Sequence, residues 1–164
     1  MKYLIYSIAL LFCSSLFGQK DLSRLLKKFN NNTVPYIYVD HLKNETENIF
    51  VLDTRKHYEY EVSHIKNAIH VGYEKFDLKT TQQKIPNKNS KIVLYCSLGI
   101  RSEDIGEQLK KAGYTNVYNL YGGIFEWKNK DQVVYDSIEN RTEKVHTFDK
   151  NWSKWLLKGE KIYE

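Results

Sequence analysis

Two uninterrupted apolar stretches limit most tightly what this chain can fold into. They are residues 49–52 (Ile-Phe-Val-Leu) and residues 92–95 (Ile-Val-Leu-Tyr). A strand with one face in water alternates apolar and polar side chains, and these stretches do not alternate. Continuous apolar strands are typical of a parallel sheet that is covered on both faces by helices. The chain is therefore predicted to build its core around such a sheet.

Three shorter apolar runs complete a set of five predicted strands: residues 37–39, 68–71 and 117–120. The clearest helical pattern precedes the last strand and extends from Ser102 to Ala112. Ser102 suits the N-cap, Ile105 and Leu109 share one face, and Gly113 follows the end. Strands that alternate with helices predict an α/β fold, here a five-stranded, mainly parallel sheet with helices on both faces.

The first 18 residues have the pattern of a secretion signal. Lys2 gives a positive start, residues 3–12 form an apolar run, and small side chains follow. The run is too short for a stable transmembrane helix, so a periplasmic or secreted protein is predicted. A lipid anchor on Cys13 is an alternative, against which the bulky Phe12 argues, and a buried N-terminal helix is another.

Composition limits the chemistry further. The chain contains only two cysteines, Cys13 and Cys96, and signal cleavage would leave Cys96 as a buried bystander or a free reactive thiol. The net charge of +5 is mild. The sequence has no basic run interleaved with aromatic residues, so nucleic-acid binding is not predicted. The five histidines do not have metal-ligand spacing with a second cysteine, so no metal or other cofactor is predicted.

The surroundings of Cys96 favour the reactive thiol. Cys96 follows a buried strand at its carboxyl end, which is the edge where open α/β sheets bind ligands. The loop after it consists of Ser97, Leu98, Gly99, Ile100 and Arg101. Gly99 allows the backbone to turn so that N–H groups converge beside a helix N-terminus, and Arg101 adds positive charge. Together these features predict a lowered pKa for the Cys96 thiol.

Two acidic residues in the first turn of the predicted helix bear on the same pKa. Glu103 and Asp104 would oppose ionisation of the thiol if they pointed toward the loop. The first turn is also where the positive end of the helix dipole favours carboxylates, so their presence there does not require them to face the loop. We therefore expect both side chains to face solvent.

Four segments resemble the rhodanese family, in the family's order. They are residues 53–55 (DTR), 59–71 (EYEVSHIKNAIHV), 95–102 (YCSLGIRS) and 119–127 (NLYGGIFEW). The resemblance implies a rhodanese-like domain over residues 19–130, with a core at 35–128, followed by an extension over residues 131–164. Ser63 and Asn67 stand where the family usually has glycine, which bears on turn geometry more than on chemistry.

The resemblance also implies a sulfurtransferase. The Cys96 thiolate would take the outer sulfur of a small anionic donor such as thiosulfate, and the loop N–H groups would hold the resulting persulfide. Cyanide, a thiol or a protein acceptor would then remove that sulfur. Asp53 and Arg55 lie at the same sheet edge and are expected to support the loop, through an ion pair of Arg55 with Glu59 or Glu61. His64 is expected to be an ordinary hydrogen-bonding residue.

Two alternatives use the same fold. A phosphatase or arsenate reductase would use the same cysteine, but rhodanese-like phosphatases have a loop one residue longer than residues 96–101. A non-catalytic persulfide carrier or docking module would bind a partner through the extension. There, four apolar side chains have the spacing of an amphipathic helix that ends at Gly159: Phe148, Trp152, Trp155 and Leu156. This helix is expected to pack on the core, or to form a lid or docking surface beside the active site.

Overall fold

The computed structural model describes residues 21–45 and 49–163. The predicted signal and Cys13 lie outside the described residues. By its internal contacts the chain separates into a unit that ends at Asn31 and a unit that begins at Asn32. The described part of the first unit, residues 21–31, contains a helix over residues 21–29, called α1. Within residues 21–45 and 49–163, every helix is too short or too polar to cross a membrane.

A five-stranded parallel sheet forms the centre of the second unit, with the strand order β1-β5-β4-β2-β3. Its strands are β1 (Tyr36–Ile37), β2 (Ile49–Asp53), β3 (Ile69–His70), β4 (Lys91–Tyr95) and β5 (Val117–Leu120). All four pairings are parallel. The five predicted strands and the α/β class are confirmed, although β1 starts at Tyr36 and Val39 begins a helix.

The two continuous apolar runs are the neighbouring central strands. β2 and β4 pair along their whole length, from Ile49 opposite Lys91 to Asp53 opposite Tyr95. The side chain of Leu52 is fully buried between the layers of the core. Burying one such side chain contributes about 2 kcal/mol, so the central strands contribute to the stability of the fold through their buried apolar side chains.

Helices connect the strands and place the two central strand ends beside a crevice. They are α2 (Val39–Leu42), α3 (His57–Val62), α4 (Leu78–Lys84), α5 (Arg101–Lys111) and α6 (Gly123–Asn129). The chain steps from β2 to β3 in one direction across the sheet and from β4 to β5 in the other. Since parallel crossovers are right-handed, α3 and α5 cover opposite faces. This reversal creates a topological switch point between β2 and β4.

The start of α5 differs from the prediction. The helix begins at Arg101, and Ile100 occupies the position before it without a side-chain cap. Ser102 is therefore not the N-cap; its hydroxyl donates a hydrogen bond to the side chain of Asn119 at 2.8 Å. The helix starts one residue earlier than predicted because the loop between Cys96 and Arg101 is tightly wound.

The C-terminal extension contains short strands and one turn of 3₁₀-helix. β6 (Val134–Tyr135) pairs with β7 (Arg141–Thr142), and β8 (Lys144–His146) pairs with β9 (Glu160–Ile162). The predicted amphipathic helix is wrong, because only Trp152–Trp155 is helical. The carboxylate of Asp149 accepts the N–H groups of Asn151 and Trp152, at 2.6 and 3.0 Å, and thereby makes a tight turn where a longer helix was expected.

Candidate active site

Cys96 lies at the switch point, directly after β4. The backbone N–H and the hydroxyl of Thr54, which follows β2, both donate to the carbonyl oxygen of Tyr95 at 3.0 Å. These bonds join the carboxyl ends of the two central strands. Only 2% of Cys96 is exposed. Cys96 therefore lies at the ligand-binding edge of the sheet, as the sequence predicts.

The loop after Cys96 turns back toward its sulfur. The N–H of Gly99 donates to Sγ of Cys96 at 3.1 Å, and the hydroxyl of Ser102 lies 3.7 Å from the same atom. Gly99 has φ +103°, which other residues adopt with strain. Burial raises the pKa of Cys96, but the charge of Arg101 and the N–H groups of Ser102 and Gly99 outweigh it, so the pKa is lowered. This direction agrees with the sequence analysis.

Arg101 is bound to a buried carboxylate of α3. Its guanidinium donates to both carboxylate oxygens of Glu59, at 2.7 and 2.9 Å, and to the hydroxyl of Ser97 at 3.0 Å. Glu59 is fully buried and also accepts the N–H of Lys56 at 2.9 Å. Burial raises the pKa of Glu59, but Arg101, together with Arg55 and the N–H of Lys56, outweighs burial and holds that pKa below its usual value. The pair joins the loop to α3.

Arg55 has a different partner from the one expected. Its guanidinium binds Asp53, with distances of 2.6 to 3.1 Å between the nitrogens and the carboxylate oxygens, and both side chains are fully buried. The expected ion pair of Arg55 with Glu59 or Glu61 is wrong, because Glu59 binds Arg101 and Glu61 is at the surface. The turn after β2 lets the Arg55 side chain fold back onto Asp53. Both residues stabilise the end of the strand next to Cys96.

His64 is a hydrogen-bonded residue of the core. Its ring stacks on Tyr60 with centroids 4.0 Å apart, and its nitrogens lie 3.2 Å from the carbonyl oxygen of Tyr60 and 3.0 Å from the Glu139 carboxylate. Asn67 has φ +60°, the left-handed conformation that the usual glycine of the family adopts without strain. Ser63 is extended, which any residue tolerates.

Asn119, in β5, supports the Cys96 loop from the sheet, and the sequence analysis did not identify it as a site residue. Its side-chain amide donates to the carbonyl oxygen of Gly99 at 2.8 Å and to Glu103 at 3.1 Å, and it accepts from the hydroxyl of Ser102. Asn119 is fully buried. A signal was present in the sequence, since a lone asparagine in the apolar run of β5 needs buried partners.

The two acidic residues in the first turn of α5 have opposite environments. The expectation that Glu103 faces solvent is wrong, because it is 1% exposed and accepts the N–H groups of Thr33 and Val34 at 2.9 and 3.3 Å. Asp104 is exposed as expected and accepts the hydroxyl of Tyr73 at 2.6 Å. Glu103 thus serves to hold the chain before β1 and not to repel the thiolate.

The double glycine before α6 lets that helix approach the loop. The N–H of Ile124 donates to the carbonyl oxygen of Cys96 at 2.9 Å, and the N–H of Phe125 donates to that of Ser97 at 3.2 Å. Gly123 has φ +55°, and a Cβ there would lie 2.7 Å from the carbonyl oxygen of Ser97 and closer still to that of Cys96. Only glycine fits this position.

A cavity of about 200 Å³ opens over the sulfur. It is lined by Cys96, Ser97, Leu98, Ile100, Arg101, Phe148 and Trp152. The guanidinium carbon of Arg101 lies 5.2 Å from the centroid of the Phe148 ring. All loop residues predicted for the site except Gly99 therefore line the cavity, and Gly99 contacts the sulfur from the backbone.

A family model for the rhodanese-like domain matches residues 35–130, which is more than half of the chain. The chain belongs to the rhodanese-like domain family. The solution structure of a rhodanese-like domain from Anabaena superimposes with a TM-score of 0.57 at 25% identity, covering 66% of this chain and 83% of that one. A thiosulfate sulfurtransferase from Pseudomonas aeruginosa, at 19% identity and a TM-score of 0.58, shares the fold; the match covers 75% of this chain and 23% of that one.

Curated relatives share this domain within longer chains. The chain is 36% identical over 100 residues to the tRNA uridine(34) hydroxylase of Erwinia tasmaniensis, and 39% identical over 95 residues to that of Photorhabdus laumondii. Each match covers 56% of this chain and 27% of the relative. The chain thus spans about a quarter of the length of these relatives.

Two of the residues that line the cavity lie outside residues 35–130, the segment matched to the rhodanese-like domain. Phe148 and Trp152 come from the extension, where β8 and β9 hold the 3₁₀ turn against the loop. Their position agrees with the expected lid or docking surface beside the active site, although the predicted helix itself is not formed. Within the described ranges, no group of three His, Cys, Asp or Glu side chains could hold a metal ion.

Proposed function

We propose that this rhodanese-like protein is a sulfurtransferase that carries sulfane sulfur as a persulfide on Cys96. The observation that carries the proposal is the environment of Sγ. The sulfur is buried, its pKa is lowered by Arg101, and the N–H groups of Gly99 and Ser102 donate to it. The same preorganised donors would stabilise the anionic terminal sulfur of a persulfide.

The reaction has two steps. In the first, the Cys96 thiolate attacks the outer sulfur of a donor such as thiosulfate; a new S–S bond forms, the donor's S–S bond breaks, and sulfite leaves with the electron pair. In the second, cyanide or a thiolate attacks the terminal sulfur, the S–S bond to Cys96 breaks, and the thiolate is restored. Covalent catalysis of this kind divides one difficult transfer into two easier ones.

Other residues act by positioning the loop. Arg101 and Glu59 join it to α3, Asn119 supports it from the sheet, and the Asp53–Arg55 pair stabilises the adjacent strand end. The signal pattern of the sequence supports export as part of this proposal, so that donor and acceptor would be met in the periplasm or outside the cell.

The competing activities receive less support. A phosphoryl group needs free positive charge, and the guanidinium of Arg101 is bound on two nitrogens by Glu59. The hydroxylation named in the curated relatives is not proposed for this chain, because the shared segment makes up 27% of their length.

Intact mass tests the proposal directly. The protein is treated with thiosulfate or benzenethiosulfonate and then with cyanide, beside Cys96→Ala and the matched control Cys13→Ala. The wild type and Cys13→Ala are expected to gain the mass of one sulfur atom, which cyanide removes, whereas Cys96→Ala gains nothing. Absence of the gain with every donor, in a folded protein that hydrolyses a phosphate ester, would replace the proposal with the phosphatase alternative. Absence of both activities would leave the docking module.

A further inference from the structure

The walls of the Cys96 cavity are poorly suited to a small inorganic dianion. Leu98, Ile100, Phe148 and Trp152 line the cavity with Cys96, and nearly all of its accessible wall is apolar. Among the described residues that line the cavity, Arg101 alone carries a permanent charge. An anion that enters this space loses hydration, and that loss is costly unless a cation or hydrogen-bond donor replaces the water.

The charge of Arg101 is shared between the buried carboxylate of Glu59 and the Cys96 thiolate, whose pKa it lowers. Both terminal nitrogens donate to Glu59, one of them also to Ser97, and the Phe148 ring lies 5.2 Å from the guanidinium carbon. The ion pair has no net charge, so an ionised Cys96 makes the site negative. A dianionic donor such as thiosulfate would meet a thiolate, and the described residues that line the cavity supply no unpaired cation to offset the repulsion.

The Phe148 ring is held at the cavity by an unusual backbone conformation. Phe148 has φ +67°, an outlier for a bulky residue, and its N–H donates to Nδ1 of His146 at 3.0 Å. Lys56 also lies near this ring, with Nζ 6.0 Å from its centroid and 3.6 Å from the carboxylate of Glu74. Strain of this kind persists where the surroundings over-determine it, and it is concentrated at functional sites.

We propose that the sulfur donor which fits this cavity is an organic compound with an apolar, uncharged body, such as an aryl thiosulfonate or an aryl hydropersulfide. The inference rests on the proposed sulfurtransferase function and names its substrate class. A cavity of about 150 Å³ with apolar walls is large enough for benzene. With a thiosulfonate, the Cys96 thiolate attacks the outer sulfur, the donor's S–S bond breaks, and the sulfinate leaves with the electron pair.

Two thiosulfonates isolate the effect of the walls. Benzenethiosulfonate and methanethiosulfonate carry the same reacting sulfur and the same single charge, and they differ in the apolar body. Thiocyanate formation with cyanide gives kcat/KM for each donor, corrected for its uncatalysed reaction with a small thiol. The wild type is expected to favour the benzene compound about tenfold or more over the methane compound, and also over thiosulfate.

Variants of the wall locate the preference. Phe148→Ala and Trp152→Ala are expected to lose most of it, while Phe148→Leu retains part because it keeps an apolar side chain. Leu157→Ala, which removes a 77% exposed side chain from the same extension, is the matched control and leaves the ratio unchanged. A wild-type preference for thiosulfate, or a ratio unaffected in both alanine variants, overturns the inference and leaves the sulfurtransferase intact. Failure of every donor to load Cys96 overturns the proposed function itself.

Discussion

The substitution Gly123→Ala probes the closest packing contact of the Cys96 loop. An added Cβ would lie 2.7 Å from the carbonyl oxygen of Ser97 and nearer to that of Cys96, which is closer than such atoms approach in folded proteins. Either the loop or the start of α6 must move. The hydrogen bonds from the N–H groups of Ile124 and Phe125 to these two carbonyl oxygens would then lengthen.

Gly113 provides a matched control that separates backbone strain from this clash. Its φ is +93°, and a Cβ there would have no neighbour within 4 Å. Alanine in a left-handed conformation costs about 1–2 kcal/mol, and this cost is common to both positions. At Gly123, two weakened hydrogen bonds add about 1 kcal/mol each. Gly113→Ala is therefore expected to lower the free energy of unfolding by about 1–2 kcal/mol, and Gly123→Ala by about 3–4 kcal/mol.

Urea unfolding followed by tryptophan fluorescence measures the two stabilities. The rate of Cys96 persulfide formation in each variant is measured by intact mass at successive times after donor treatment. Any urea present is kept well below the concentration that unfolds the variant. Loading is expected to slow by about tenfold or more in Gly123→Ala, because the loop N–H groups lose their aim at the sulfur, and to be unchanged in Gly113→Ala. Equal stability losses, together with equal loading rates, would refute the argument that Gly123 sets the position of the loop.

Two further predictions concern residues around the same loop. Because the Arg101 charge stabilises the Cys96 thiolate, Arg101→Gln is expected to raise the pKa of this thiol and to move its alkylation-rate profile toward higher pH. The alkylation rates are measured in a Cys13→Ala background, with Arg141→Gln on the exposed face of β7 as control. A midpoint of the rate profile that stays at the same pH, or moves to lower pH, contradicts this prediction. Asn119→Ala removes three buried hydrogen bonds and is expected to cost about 2–3 kcal/mol of unfolding free energy and to slow persulfide formation; a loss below about 0.5 kcal/mol would argue against it.

The confirmed predictions concern secondary structure and loop geometry that depend on residues close together in the sequence. Continuous apolar runs located β2 and β4, and one helical face with a glycine stop located α5 to within one residue at each end. The loop of Cys96 follows from the strand before it, the helix after it and Gly99 within it. Each of these features depends on side-chain periodicity or on one residue's backbone freedom, both of which are visible along a short stretch of chain.

The choice of ionic partners could not be predicted in this way. Arg55 binds Asp53, whereas the expected partner was Glu59 or Glu61. Glu59 instead binds Arg101, which lies 42 residues further along the chain. Glu103 fits a solvent-facing position in its helix but is buried beneath the chain that precedes β1. Buried charges select partners by distance in the folded state, because an unpaired buried charge costs several kcal/mol.

The amino-acid sequence by itself thus determined the sheet, the helix and the position of Cys96 between them, because those depend on local patterns of apolar and glycine residues. Only the tertiary structure decided what surrounds the sulfur. Phe148 and Trp152 are about fifty residues beyond Cys96 in the chain, and pairing of β8 with β9 brings them to its cavity. No periodicity encodes such a meeting, since it depends on how separate segments pack once hydrophobic burial has brought them together.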